Sequence, residues 1–599
     1  MIYPTLYEME TSRQTVDIFK GYNRNLRIGE GEFYDMKNLT SSYYPVLSPR
    51  SRRGTYLSDL KNPFGLISKD SLGYIADGEF HLNQYSTTGL NLDPYNKAVI
   101  EKTTMVSMGA YVIIITRDAK GDIIDKKWVN TNGALTEHGD IEAKKITSTA
   151  VKYSLCTVDG ADYTTVPGPS APTITEEMEA GTAEVPFWVD TSSTPNSLKQ
   201  YSLTTDAWVT VPTTYIKISA TGIGEAFEVN DGVTISGVEP DSLQDLNSTM
   251  AIWAKGDNYI VVLGILDVER TQDAPIIVKR TMPDVDFLIE SENRLWGCKY
   301  GISDGKVVNE IYASKLGDFK NWNCFMGIST DSYAASVGTD GKFTGAITHL
   351  GYPLFFKENF MHKVYGNYPA NFQIQTTACR GVQDGCDRSL AIVNETLYYK
   401  SRSAVCAYDG ALPSEISYAL GEIAYSNAVG ASHGNKYYIS MKDTADVYNL
   451  FVYDAAKGLW HKEDDLRAEA FCSCRGELYF IENGKADIKT MFGSGKADTK
   501  PVKWEAETGI IGTDSPDKKY ISKLNVRMSL DIGSTVYFYI QYDSCGEWEF
   551  LFNMTGTALK SFTIPIRIRR SDHLRLKIVG EGEAKIYSIV KTIEQGSDI

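Results

Sequence analysis

The sequence predicts an all-β protein, and three observations carry the prediction. Tyrosine dominates the aromatic residues, with 37 Tyr against 22 Phe and 9 Trp, and aromatic side chains stabilise strands through cross-strand pairs. Short apolar or alternating runs, bounded by Gly, Asp and Asn, fill the chain, while a helical 3.6-residue period is almost absent. The third observation is a repeat.

Turn-plus-aromatic strand starts recur along the chain. They fall at Leu295-Trp296 in "ENRLWGC", Leu354-Phe355 in "GYPLFFK", Leu397-Tyr398 in "NETLYYK", Tyr437-Tyr438 in "GNKYYIS" and Leu478-Tyr479 in "RGELYFI". The last three intervals are 43, 40 and 41 residues, and Tyr74 and Tyr111 earlier lie 37 apart. A period near forty with about four strands per unit predicts a β-propeller, here of about six to seven blades. Two hairpins carry aromatics seven residues apart, Tyr201 with Trp208 and Tyr453 with Trp460. In a hairpin such pairs meet across the strands, and both read as blade edges.

The repeat is interrupted, and the interruptions set the expected domains. Residues 1–58 read as an extended lead-in with first strands, and 59–150 as the first blades. Residues 151–275 break the spacing: a Pro-, Thr- and Glu-rich linker leads into strands around "NDG" and "KGDN" turns, which predicts an inserted small β-barrel. Residues 276–499 hold the remaining blades. Residues 500–599 alternate with period two over longer strands, predicting a C-terminal β-sandwich with one wet face on each sheet.

Charge and composition narrow the function classes. The chain has 60 Lys and Arg against 76 Asp and Glu, net −16, which argues against a nucleic-acid clamp. An acidic chain is still suited to line a passage through which nucleic acid slides without sticking. The first residues lack the basic-then-apolar order of a secretory signal. The longest clean apolar runs, such as "YVIIIT" at 111–116, are strand length, so no membrane span is expected. Nine cysteines without framework spacing read as packed, reduced thiols of a protein made in a cytosol.

Chemistry-bearing motifs are weak. The stretch "NEIYASKLGDFKNW" reads as strand, tight turn, strand, with Phe319 and Trp322 on the second strand. Its Ser314, Gly317, Asp318 and Trp322 resemble the side chains of the sialidase Asp-box, but Gly precedes Asp and Trp comes one residue late. That box is structural, so these four residues are expected to stabilise a blade turn. A glycosidase would need a converging arginine cluster or carboxylate pair, and no catalytic residue is expected. The seven His are scattered, Cys472 and Cys474 form a lone C-x-C, and the acidic turns at 118–122 and 514–517 lack the full calcium-loop pattern. No metal and no cofactor is expected. "GSGKAD" at 493–498 lacks the phosphate-loop spacing and its strand–loop–helix context.

Two basic clusters stand out. One is Arg50, Arg52 and Arg53; the other is Arg567, Arg569 and Arg570, followed by Arg575 and Lys577. On a strand Arg567 and Arg569 share a face and Arg570 switches to the other. These are candidate contacts to a neighbouring subunit or to passing DNA.

Three segments together, "ENRLWGCKYGISDGKVVNEIYASKLGDFKNWNCF", "GAITHLGYPLFFKENFMHKVYG" and "IPIRIRRSDHLRLKIVGEGEAKIYSIVKTIEQGSDI", resemble bacteriophage virion proteins called stabilization proteins, akin to the tail nozzle proteins of short-tailed phages. The likeness runs over roughly residues 15–599 and is strongest from about 280 to 460. It implies a structural virion protein and not an enzyme: a tail nozzle subunit in a homo-hexameric ring below the portal and adaptor, with tail-fibre proteins as neighbours. The joint lumen would retain packaged DNA and pass it at infection, without sequence-specific binding. The implied location is the virion tail, after synthesis in the host bacterial cytoplasm. A receptor-binding or tail-fibre-anchoring propeller is the alternative, and a glycan hydrolase a third.

Overall fold

In the computed structural model, described for residues 11–92, 103–118, 120–303, 305–513 and 517–595, the chain is built almost wholly from β-strands. Six four-stranded antiparallel sheets and a seventh of five strands form the successive blades. Their strands begin at Phe64–Ser68 (blade 1), Thr104–Met108 (blade 2), Phe287–Ser291 (blade 3), Gly345–His349 (blade 4), Ala391–Val393 (blade 5), Ser426–His433 (blade 6) and Ala468–Cys474 (blade 7). Except between blades 4 and 5, the first strand of each blade packs beside that of the next. Blade 7 returns to blade 1, and a 3-10 turn at Asp387–Ser389 bridges blades 4 and 5. The protein is therefore a closed seven-bladed propeller.

Every repeat mark falls on a second strand. Tyr74, Tyr111, Leu295, Leu354, Leu397, Tyr437 and Leu478 lie in the second strands of blades 1 to 7 in order. Leu295, Leu354, Leu397, Tyr437 and Leu478 are fully buried between blades. The second strand is covered on both sides by its own sheet and on both faces by neighbouring blades, so it takes the most apolar sequence. The long interval from Leu295 to Leu354 has a local cause: a loop at 314–332 separates the last two strands of blade 3.

Closure uses both ends of the chain. The fourth strand of blade 7 is Gly54–Leu57, paired with Ile488–Thr490 on one side and with the edge strand Lys496–Ala497 on the other. Residues 1–58 are thus more than a lead-in, because strands Thr11–Val16, Gly21–Tyr22 and Glu32–Lys37 also join the C-terminal sheet. That sheet has eight strands. Its 24-residue strand Lys519–Tyr542 pairs with Ala584–Gln595 through its first half and with Leu574–Glu581 through its second. The buried residues of both halves, Leu524 to Leu530 and Val536 to Tyr542, belong to one apolar core that continues into blades 4 to 6. Tyr22 on Phe451, ring centroids 5.6 Å apart, is part of that seam.

The inserted unit leaves the propeller after blade 2 and has its own core, from Val151 to Val278. Its strands run from Ala143–Ile146 to Ile277–Arg280, wider than the expected 151–275. Hydrogen bonding divides the expected barrel into two open sheets around that core and a third four-stranded sheet spanning 165–210. Tyr201 and Trp208 pair directly in this third sheet, centroids 5.4 Å apart, so this pair belongs to the insert and not to a blade edge. Tyr453 and Trp460 pair in blade 6, centroids 5.0 Å apart.

Candidate functional site: the channel, the blade 3 loop and the charged edges

The blade 3 loop holds the four residues singled out in the sequence. Phe319 and Trp322 are not on a strand, because side chains capture the backbone that a strand would have paired. The Ser314 hydroxyl accepts from Leu295 N–H at 3.0 Å, and Asp318 Oδ1 accepts from Lys320 N–H at 3.0 Å. Gly317 takes φ +75°, a left-handed value that a side chain would strain. Trp322 is 2% exposed, donates its indole N–H to Phe319 carbonyl at 2.9 Å, and packs in one cluster with Trp128 and Phe319.

The loop also reaches the inserted unit. Asn321 accepts from Gly232 N–H at 2.8 Å and donates to Asp231 Oδ1 at 3.1 Å. Asp231 in turn meets Arg280 at 2.5 Å. All three polar side chains are buried. A Cβ on Gly232 would stand 2.7 Å from the Asn323 backbone, so chain meets chain here with no room to spare. Sequence reasoning gave Asn321, Asp231 and Arg280 no role, and no local pattern links residues some ninety positions apart.

The two arginine clusters differ. Arg50 and Arg53 are inside: Arg53 lies 2.7 Å from Asp464 and 3.3 Å from Glu463, and Arg50 lies 3.4 and 3.5 Å from the same two acids. Burial works against the Arg53 charge, yet Asp464 and Glu463 hold its pKa above the ordinary value. Their charges are spent on joining the N-terminal segment to blades 6 and 7. Arg52 is exposed. Arg567, Arg569 and Arg570 are all exposed, but they lie in irregular chain after the strand Glu549–Ile564, so the expected strand alternation does not apply. Arg569 meets Glu549 at 2.6 Å and stacks over Tyr542. Arg575 and Lys577 do lie on a strand, paired with Glu507 and Glu505.

The propeller axis encloses a cavity of about 730 Å³, lined from all seven blades. Its charged lining is balanced: Arg117, Lys120, Lys299, Lys342 and Arg388 against Asp122, Asp286, Asp384, Asp387 and Glu469. Most of these groups are already engaged. Asp286 meets Lys299 at 3.0 Å, Asp384 meets Lys342 at 2.8 Å, and Glu469 accepts from Asn483 at 2.6 Å. Arg117 donates to the Val285, Asp286 and Gly121 carbonyls. Burial pushes the Asp387 carboxyl up. The lining also includes the apolar side chains of Phe64, Leu66, Met105, Phe471 and Ile481. A cavity of this volume is in the small-ligand range.

Among the described residues no group of three His, Cys, Asp or Glu stands close enough to hold a metal ion. In the acidic turn at 118–122, Asp118 Oδ1 accepts from the N–H groups of Lys120, Gly121 and Asp122, so it caps the turn. The turn at 514–517 lies largely outside the described residues. Cys472 and Cys474 pack in one apolar cluster between blades 7 and 1. No described helix is long and apolar enough to cross a membrane.

No family model and no curated protein matches the chain. Solved structures share only distant likeness. An exo-β-1,3-galactanase from Phanerochaete chrysosporium, solved with galactose, is 8% identical with TM-score 0.20, over 51% of this chain and 94% of that one. The β-propeller domain of the Trilobed protease from Pyrococcus furiosus is 8% identical with TM-score 0.26, over 66% of this chain and 96% of that one. A prolyl endopeptidase structure is 12% identical with TM-score 0.26, over 72% of this chain and 53% of that one.

Proposed function

We propose that this chain is a structural subunit of a phage tail, a nozzle protein whose six copies ring the DNA exit channel. The observation that carries this reading is the way the body is tied. A closed propeller takes the fourth strand of its last blade from residues 54–57, and strands from residues 11–37 join the C-terminal sheet. A largely shielded four-residue ion cluster fastens the N-terminal segment to blades 6 and 7. Such a body resists unravelling from either end, as a part that holds back packaged DNA must. The sequence likeness to phage stabilization proteins supports the same reading.

In this reading the ring retains DNA by steric closure and passes it by electrostatic non-adhesion. A subunit of net −16 repels phosphates, and six copies multiply the effect. The path for DNA is the joint lumen between subunits. The propeller's own cavity is charge-balanced and far too small for a duplex, whose major groove alone is about 12 Å wide. Portal-adaptor and tail-fibre proteins are the partners, and the chain performs no catalysis.

A receptor-binding or fibre-anchoring role is the second reading. One observation favours it: Tyr201 and Trp208 are half-exposed on the inserted unit's third sheet, beside Trp188 and its cation partner Lys199. Virions produced without the chain separate the two. Heads that fill and then leak DNA are expected of a nozzle. Particles that keep their DNA but fail to adsorb would overturn the nozzle reading in favour of the second.

A further inference from the structure

Among the described strands, the C-terminal sheet ends in a long unpaired edge. The strand Glu549–Ile564 has 16 residues and pairs only with Lys519–Tyr542 among the described strands. At ~3.3 Å per residue its outer side offers roughly 50 Å of backbone N–H and C=O groups. Soluble proteins blunt such edges with charge, proline or short strands, because an open edge pairs with another chain. This strand has no proline, and its only charges are Glu549 and Lys560. Its register with Lys519–Tyr542 shifts at three points, so it is bent, with Lys560–Ile564 and Phe552–Thr555 as in-register stretches. Phe550 and Leu559 on this strand are each 56% exposed, while Leu551, Phe552, Met554 and Phe562 pack partly buried against the core.

The basic segment sits beside both ends of this edge. It follows Ile564 directly, and Arg569 reaches back to Glu549 at 2.6 Å. Arg567 and Arg570 are exposed beside it. Two copies of a chain carrying −16 repel each other over most of their surface. A neutral apolar edge flanked by arginines is where that repulsion is least and where an acidic neighbour is attracted.

We infer that this edge is the docking surface for a second copy of this chain: Glu549–Ile564 adds to a sheet edge of the neighbour, and Arg567 and Arg570 meet the neighbour's acidic surface. A head-to-tail contact between two different patches generates a ring when the rotation closes, and strand addition supplies affinity through the main chain. The inference rests on the ring reading above.

Sedimentation of the full chain over a concentration series, with hydrogen exchange of the same samples, tests it. The wild type should assemble at high concentration, and amides of 549–564 should slow on assembly. Phe550→Lys with Leu559→Lys should stay monomeric with an unchanged melting temperature, since both side chains are exposed. Arg567→Glu with Arg570→Glu should need roughly tenfold more protein to assemble. If the wild type assembles while these amides exchange as in the monomer, or the lysine variant assembles as well as the wild type, this inference falls and the ring reading stands. A wild type that stays monomeric at every concentration overturns both.

Discussion

Arg53 Nη1 stands 2.7 Å from Asp464 Oδ2, joining the chain's first tenth to the loop between blades 6 and 7. Both side chains are 12% exposed, and Glu463 and Arg50 complete the cluster. Removing one partner leaves an uncompensated charge in a desolvated place. Arg53→Met should destabilise the protein by about 3 kcal/mol, read as a shift in denaturant midpoint at constant slope. A shift below a few tenths of that would show the cluster to be ornamental.

Blade 7 depends on Thr55, which faces Lys489 on one side and Lys496 on the other. A proline there removes a ladder donor from a strand paired on both sides. Thr55→Pro should open blade 7, exposing cleavage sites between 468 and 497 to a protease that leaves the wild type intact. Unchanged proteolysis would mean that closure does not need the N-terminal strand.

Trp322 is the apolar centre of the blade 3 loop. Trp322→Ala should cost about 3–5 kcal/mol by removing a buried aromatic side chain, and should impair assembly with folding. A stably folded variant that loses some separable catalytic activity would contradict the structural role given to this loop.

Asn321 ties the loop to the inserted unit, which has a core of its own. Asn321→Ala strands the Gly232 N–H and one Asp231 oxygen, a loss of about 2–3 kcal/mol. Calorimetry should then resolve a separate, earlier transition for the insert. One coincident transition in both proteins would show that the insert is held elsewhere.

Two buried histidines set an acid limit. Burial lowers His362 to about 4 and His461 to about 3. His362 is wholly buried, with a Thr hydroxyl 2.9 Å from each ring nitrogen, Thr339 and Thr376. The unfolded chain, with His near 6.5, binds more protons than the folded one between these values. Stability is therefore full above about pH 6.5 and falls as the pH drops toward 4, by about 3 kcal/mol for His362. Melts between pH 7.5 and 4.5 should show this slope, and His362→Gln should flatten it. An equal slope in the variant would contradict the assignment.

The propeller was legible because its second strands are locally distinctive: aromatic, apolar and following a turn, as at Leu397-Tyr398. What was not legible is non-local. Nothing near residue 54 announces a strand of blade 7, since its partners lie more than 430 positions away. Arg50 and Arg53 looked like a surface patch because the acids that bury them lie at 463 and 464. The stretch 309–322 read as a hairpin because the run at Ile311 and Tyr312 is followed by a Gly317-Asp318 turn signal and then by Phe319 and Trp322. Ser314, Asp318 and Asn321 override that pattern by taking the backbone and the neighbouring unit as hydrogen-bond partners.

The most direct test of the central claim is cryo-electron microscopy of purified virions, with this chain located in the map. The account predicts a six-fold ring on the tail axis, with DNA held behind or running through its lumen. A peripheral position on the particle, or no density for the chain at all, would contradict it.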